Sequence, residues 1–418
     1  MKSPRVAGPE ERALALYLRT LPAVRERCTR LLRLAEADAL PHFRYRPERL
    51  PAAVARVAAT TREQYPGLCV PLHSRWRHFS VGGIDRVARL EAAWGACDAP
   101  ERARRKIDLA VVSVLLDAGA GPGWHYAEQG TGRTWSRSEG LALASLDAFA
   151  AGLFASRRGD PWRADAAALR SLEPERLAGA FQVSADNPLA GLSGRAALLR
   201  RLGEALAARP ELFGREAPRP GGIVDGLRAQ STAGVLPIAV LWAALMEGLS
   251  PIWPEDRPHL AGLPLGDAWP HSALAGPYVG DALVPFHKLT QWLAYSLLEP
   301  LTEAGLRVAG THELTGLAEY RNGGLLFDVG VLEPRDAGLA ARPLAQGSEP
   351  VVEWRALTVA VLDRLAGRLR DSLGLSADAL PLGAVLQGGT WEAGRRLARE
   401  RRPGGAPPFQ IESDGMLF

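Results

Sequence analysis

Cysteine is scarce in this sequence of 418 residues. The three present, Cys28, Cys69 and Cys97, are odd in number, far apart and without a CxxC pair. That composition supports neither a disulfide framework nor a thiolate zinc site. The eight histidines are dispersed, and neither HExxH nor HxH occurs. His73 and His78 in "HSRWRHF" stand five apart, a poor spacing for one helix face. No metal site and no cofactor are therefore assigned. The glycine-rich "GAGPG" after Asp117 follows a helical pattern rather than a strand, so it fits neither a dinucleotide fingerprint nor a P-loop. No GxSxG elbow is present to carry serine-hydrolase chemistry. The longest apolar stretch, "GVLPIAVLWAALMEGL", is too short for a membrane span and is broken by Pro237. The first residues, "MKSPRVAGPEERALALYLRT", are charged from the start and lack an apolar signal-peptide core, so a cytoplasmic protein is expected. Charge of one sign is missing too. Lys+Arg 50 against Asp+Glu 46 gives +4, spread evenly, with a pI near 9.1. The short basic runs near Arg102 and Arg399 sit within helical patterns as solvated faces, which argues against a nucleic-acid partner. The sequence does not set the oligomeric state.

What is present is helical periodicity and 47% hydrophobic residues, enough for a large core. "EERALALYLRTLPAVRERCTRLLRLAEAD" repeats apolar residues at three and four and predicts one or two amphipathic helices around Pro22. "RARRKIDLAVVSVLLDAGAG" predicts a buried helix ending near Asp117. "SRSEGLALASLDAFAAGLFA" predicts a helix with a serine cap and Glu139 in its first turn. Further helices are expected at 194–209, 232–248, 285–305, 350–374 and 391–401. Strand signals are few: "GGLLFDVGVL" and the terminal "FQIESDGMLF" are the candidates, and their pairing is expected. The fold class is therefore mainly α, with a small β element near 324–332 and 409–418. One compact, mostly helical domain over 1–418 is expected, with an N-terminal part at about 1–208 and a C-terminal part at about 227–418.

Polar groups concentrate in a few places. "PFHKLTQWLAYSLLEPL" sets Lys288, Gln291, Trp292 and Tyr295 on one stripe of a helix. The plain alternative is a half-buried helix whose lysine snorkels to water. Asp281 stands just before that helix, as a carboxylate near its positive end or as an ordinary cap. "GLAEYRNGGLLFDVGVL" crowds Glu319, Tyr320, Arg321 and Asn322 onto one turn. This is either an ion-paired loop or a carboxylate held for chemistry on a small polar substrate. Arg75, Arg77, Arg133 and Arg137, in loops flanked by Trp76, Trp124 and Trp135, can bind an anion such as phosphate in two-pronged fashion. Taken singly, each is better explained by surface pairing or packing; their number in loops is what points to a site.

These segments also carry a resemblance. Through "YPGLCVPLHSRWRHF", "LLDAGAGPGWHY", "RSEGLALASL", "VGDALVPFHKLTQWL", "EYRNGG" and the terminal "SDGMLF", the chain resembles, almost end to end, an uncharacterised family found beside uracil-catabolism genes in fungi and bacteria. Its second half is more distantly similar to queuosine-5′-phosphate N-glycosidases. In those enzymes a Lys-x-x-Gln-like helix is matched at Lys288, and an Asp-Tyr-Arg turn is matched by Glu319-Tyr320-Arg321. The resemblance departs at Glu for Asp and at "NGG" for a Val-Pro-Gln continuation, and the base-recognition region has no counterpart. It implies a DNA-glycosylase-like helical fold and hydrolysis of an N-ribosidic bond with a different leaving group.

Breaking such a bond builds positive charge on the ribose, which a carboxylate stabilises or attacks. Glu319 is the catalytic candidate. Lys288, Arg321, Gln291, Trp292, Asp281, Arg75 and Arg137 are the substrate-binding candidates. Lys288 is assigned to a 5′-phosphate or ribose hydroxyl. The expected substrate is a small phosphorylated ribosyl compound: a 5′-phosphorylated ribosylurea from UMP breakdown, cleaved to urea and ribose 5-phosphate. Two other functions stay open: an amidohydrolase or lyase acting on a ring-opened pyrimidine ribotide, and a non-catalytic pathway scaffold.

Overall fold

Proline decides where the first two helices part. Pro9 and Pro22 each occupy the first turn of a helix, Pro9–Leu18 and Leu21–Glu36, where a missing amide donor is no loss. Thr20 between them caps the second by accepting from the Ala23 amide. The computed structural model from which these elements are taken describes residues 8–412. As the periodicity implies, the fold is mainly α; its strands form only two-stranded sheets among the described residues.

The chain divides into two compact units, each built from separated segments. The division does not follow the expected parts 1–208 and 227–418. Residues 8–73, 255–291 and 312–412 form the first unit; residues 74–254 and 292–311 belong to the second.

In the first unit the helix Glu349–Leu373 is the centre. It is buried at every position from Val351 to Leu362, and it packs against Leu21–Glu36 and Leu50–Gln64. Strand Phe43–Tyr45 pairs antiparallel with Leu332–Pro334, and Ala268–Pro270 pairs antiparallel with Leu283–Pro285. The helix Tyr320–Asp328 lies against Trp391–Arg401 and the long helix.

The segment "GGLLFDVGVL" corrects the sequence expectation. It is expected as a strand, yet the chain is helical from Tyr320 to Asp328, and the strand begins only at Leu332. Gly323 is there for closeness. A Cβ on Gly323 would lie 2.6 Å from the Trp354 indole, whose Nε1 donates to the Gly323 carbonyl at 3.2 Å. Across the other face, a Cβ on Gly394 would meet the Arg321 carbonyl oxygen at 2.2 Å. The expected pairing of the terminal segment with 323–332 is likewise replaced. Ile411 bridges Leu344, while Phe409 packs edge-on against Phe327 at 5.1 Å and Trp354 at 4.8 Å. Residues 413–418 of that expected strand lie outside the described residues.

In the second unit the helices Ala99–Leu115, Arg137–Ala150, Leu192–Ala208 and Ile238–Gly248 match the expected segments to within a few residues at their ends. The exception is 232–237, where Val235–Pro237 forms a strand parallel to Arg307–Ala309 and the helix waits until Ile238. Ser136 holds the cap position before Arg137 but makes no side-chain cap bond. No described helix is long and apolar enough to cross a membrane.

Candidate functional site

Glu319 occupies the N-cap of the helix Tyr320–Asp328, with extended backbone at φ −124° and ψ 162°. One carboxyl oxygen accepts from the Arg321 amide and the other from the Asn322 amide, each at 2.7 Å. Shorter Ser, Thr, Asp and Asn are the usual caps, so glutamate must fold its arm back to reach both donors. A carboxylate offers about four acceptor positions, and these two bonds leave it with capacity to spare. The residue is half-buried. Burial is the strongest influence on its carboxyl and lifts the pKa above the ordinary glutamate value. The two amides, Lys288 and Arg321 oppose that rise.

Lys288 is the first residue of the helix Lys288–Glu303, half-buried, with its charge close enough to act on Glu319. Its placement begins one residue earlier. His287 has φ 45°, a left-handed conformation that a residue with a side chain adopts at a cost. Surroundings hold it there: its Nε2 donates to the Leu18 carbonyl at 2.8 Å, and burial lowers its pKa. Its amide donates to the Asp267 carbonyl.

Asp267 is fully buried, and all of its carboxylate is used. Arg355 donates to both oxygens at 2.8 Å, Trp269 Nε1 to Oδ1 at 2.9 Å, and the Lys288 amide to Oδ2 at 3.1 Å. Arg355 holds the Asp267 carboxyl far below the usual carboxylate range against the opposing effect of burial. Asp267 thus supplies the carboxylate at the positive end of the lysine helix, the place expected for Asp281. Asp281 instead caps the short turn Val279–Ala282, accepting from the Tyr278 amide at 3.1 Å.

Gln291 is buried and committed to the protein. Its Nε2 donates to Thr315 Oγ1 at 2.6 Å, and its Oε1 accepts from the Thr315 amide at 3.2 Å. It ties the segment leading to Glu319 to the lysine helix. Arg321 lies over the Tyr320 ring, 4.9 Å from its centroid, and donates to the Gly405 carbonyl at 3.1 Å.

Glu319, Lys288, Gln291, Arg321 and Asp281 all belong to the first unit. Trp292, Arg75 and Arg137 belong to the second. There Trp292 is buried, edge-on to His78 at 5.8 Å. Arg137 is half-buried with φ 56° at the start of its helix. Arg75 is fully buried, paired with Asp117 at 2.7 Å and bonded to Ser113 Oγ at 2.7 Å. Its guanidinium has no exposed surface.

Asp267, Arg355, Thr315 and His287 were not picked out from sequence. Asp267 did leave a mark as the lone charge within the apolar run "LPLGDAWP", and Arg355 shares "VVEWRAL" with Glu353. Lysine usage is a further signal. Of 50 basic residues only Lys2, Lys106 and Lys288 are lysines. Lys106 is accounted for by Glu91 at 2.5 Å and Glu303 at 2.7 Å. A compact ammonium at 288, where arginine is the rule, fits a point-charge role. No group of three or more His, Cys, Asp or Glu among the described residues is arranged to hold a metal ion.

Comparison with known proteins adds the family. The model described as "Protein of unknown function (DUF1688)" matches residues 17–418. Protein urg3 of Schizosaccharomyces pombe is 41% identical over 414 residues, covering 96% of this chain and 98% of that protein. Uracil catabolism protein 4 of Lachancea kluyveri is 40% identical over 379 residues, covering 84% and 85%. With Glu319, Lys288, Asp267 and Arg355 all inside the matched span, the chain belongs to the DUF1688 family, the uracil-catabolism-associated family it resembles in sequence.

Proposed function

We propose that this protein acts in uracil catabolism as an N-ribosyl hydrolase, cleaving a 5′-phosphorylated ribosylurea to urea and ribose 5-phosphate. The pathway is supported by the name of the Lachancea kluyveri relative, uracil catabolism protein 4. The chemistry rests on one observation: a withdrawn carboxylate, Glu319, fixed by two backbone amides beside a lysine whose charge reaches it.

The reaction adds one water across the C1–N bond. Water oxygen goes to C1, and a proton goes to the departing urea nitrogen. As the bond stretches, positive charge grows on the ribose, and ionised Glu319 stabilises or attacks that centre. The two amides hold the carboxylate still, so little reorganisation is needed when charge appears. Lys288 is suited to the 5′-phosphate or a ribose hydroxyl, and Arg321 to orienting the turn. Gln291 acts on the turn through Thr315 rather than on substrate. This chemistry calls for no metal or organic cofactor, and the mainly α fold is compatible with a DNA-glycosylase-like architecture in the cytoplasm.

The test is incubation of purified protein with the 5′-phosphorylated ribosylurea and detection of urea and reducing sugar phosphate together. The proposal predicts both in equal amounts. Ammonia release with the N-ribosyl bond intact would favour an amidohydrolase instead.

A further inference from the structure

The turn Glu353-Trp354-Arg355 of the long buried helix is bonded to segments next to both candidate residues. Glu353, fully buried, accepts from the Phe43 amide at 2.6 Å and from His271 Nε2 at 3.0 Å. Trp354 donates to the carbonyl of Gly323, within the Glu319-capped helix. Arg355 donates two-pronged to Asp267 and, at 3.4 Å, to the carbonyl of Ala318, the residue before Glu319. Asp267 in turn accepts the amide of Lys288 and, through its own carbonyl, that of His287. One ion pair is therefore bonded to the backbone beside both candidates.

A buried ion pair is an inefficient way to gain stability, since desolvation cancels much of the attraction. Its distinctive property is geometry. The guanidinium fork and the carboxylate meet in one plane, all four acceptor positions of Asp267 are filled, and Phe286 lies under the Arg355 guanidinium, 4.0 Å from its ring centroid. We propose that Asp267 and Arg355 are positioning residues that set the Lys288 ammonium against the Glu319 carboxyl, touching neither substrate nor the reacting bond. The catalytic consequence rests on the hydrolase reading; the positioning itself does not. Facing Glu319 are Lys288, Arg321 and the two amides. Arg355 is the charge that faces Asp267, and His287 also feels Asp267, with Arg19 and Arg355.

The test titrates the Glu319 carboxyl by NMR in full-length protein carrying carbon-13 glutamate, with the resonance identified by its loss in Glu319→Gln. Four proteins are compared: wild type, Lys288→Met, the paired Asp267→Asn/Arg355→Met, and the triple variant. The paired change removes both charges together, so it strands neither partner and keeps net charge. Lys288→Met should raise the Glu319 midpoint, because an opposing charge is gone. The paired variant should raise it in the same direction, and the triple no further than Lys288→Met. A folded paired variant that titrates like wild type would overturn the proposal, as would additive shifts in the triple. If the pair does not fold, Arg355→Lys keeps the charge and gives up the fork, and an unchanged midpoint there also overturns it. If the hydrolase reading holds, the paired variant should lose about 10²-fold in kcat/KM, the effect of a misplacement near 1 Å. Absence of any turnover in wild type would sink the hydrolase reading and leave the titration result standing.

Discussion

Glu319 is pulled two ways, and its substitutions separate them. As a cap it holds two amides; as a catalyst it supplies charge. Glu319→Gln keeps the volume but turns an NH₂ toward one of the two amide donors, so one cap bond is lost at about 1 kcal/mol. The charge is lost as well, and turnover should fall by about 10²–10³, with substrate binding much less affected because the ribose cation exists only near the transition state. Glu319→Asp should retain partial activity: it keeps the charge and suits a cap, but the shorter arm shifts it. If Glu319 is only a cap, Glu319→Gln lowers the melting temperature and leaves the rate per folded molecule intact. The raised pKa also fixes the sign of two pH effects. Activity that needs the carboxylate should switch on only as pH rises through a midpoint above the ordinary glutamate value, readable in kcat/KM against pH. For stability, a raised folded-state pKa means the favourable contribution is complete below the unfolded pKa and fades as pH rises through the folded one. Glu319→Gln should remove that fade.

At the scale of elements, the helix Tyr320–Asp328 is defined by what it packs against. Gly323→Ala would drive a Cβ into the Trp354 ring, and Gly394→Ala into the Arg321 carbonyl. Each should cost about 1–3 kcal/mol in denaturant unfolding, with the second the greater because backbone yields less than a side-chain tip. Gln291→Leu should release Thr315, seen as faster hydrogen exchange of its amide. The same helix shows where sequence reasoning stops. Long amphipathic helices such as Trp391–Arg401 were legible to the residue because their apolar period is set locally. "GGLLFDVGVL" reads as a strand candidate, yet residues 323–328 are helical, although two adjacent glycines are poor helix formers. At Gly323 the cause is the Trp354 indole from a distant segment, and tertiary contact overrode local preference.

Across the whole molecule, the candidate site was legible as residue types and only partly as geometry. Lys288 and Glu319 stood out because a polar stripe on a helix and a crowded turn are visible in one dimension. The Asp267–Arg355 pair spans 88 positions and reads as two unrelated charges until folding joins them. That pair predicts acid sensitivity. Asp267 has a depressed pKa, so its stabilisation is full above the ordinary aspartate value of about 3.9 and is lost as pH falls toward the folded value. Circular dichroism should show the wild type losing structure on acidification more steeply than the paired Asp267→Asn/Arg355→Met variant. The most direct measurement is of the bond that breaks. Purified protein is given 5′-phosphorylated ribosylurea and, separately, the same compound without its phosphate, in water enriched in oxygen-18. Mass spectrometry should find urea without label and ribose 5-phosphate carrying one labelled oxygen, with the unphosphorylated compound turned over far more slowly. Intact ribosyl–nitrogen bonds, or label in the urea-derived product, would contradict an N-ribosyl hydrolase built around Glu319.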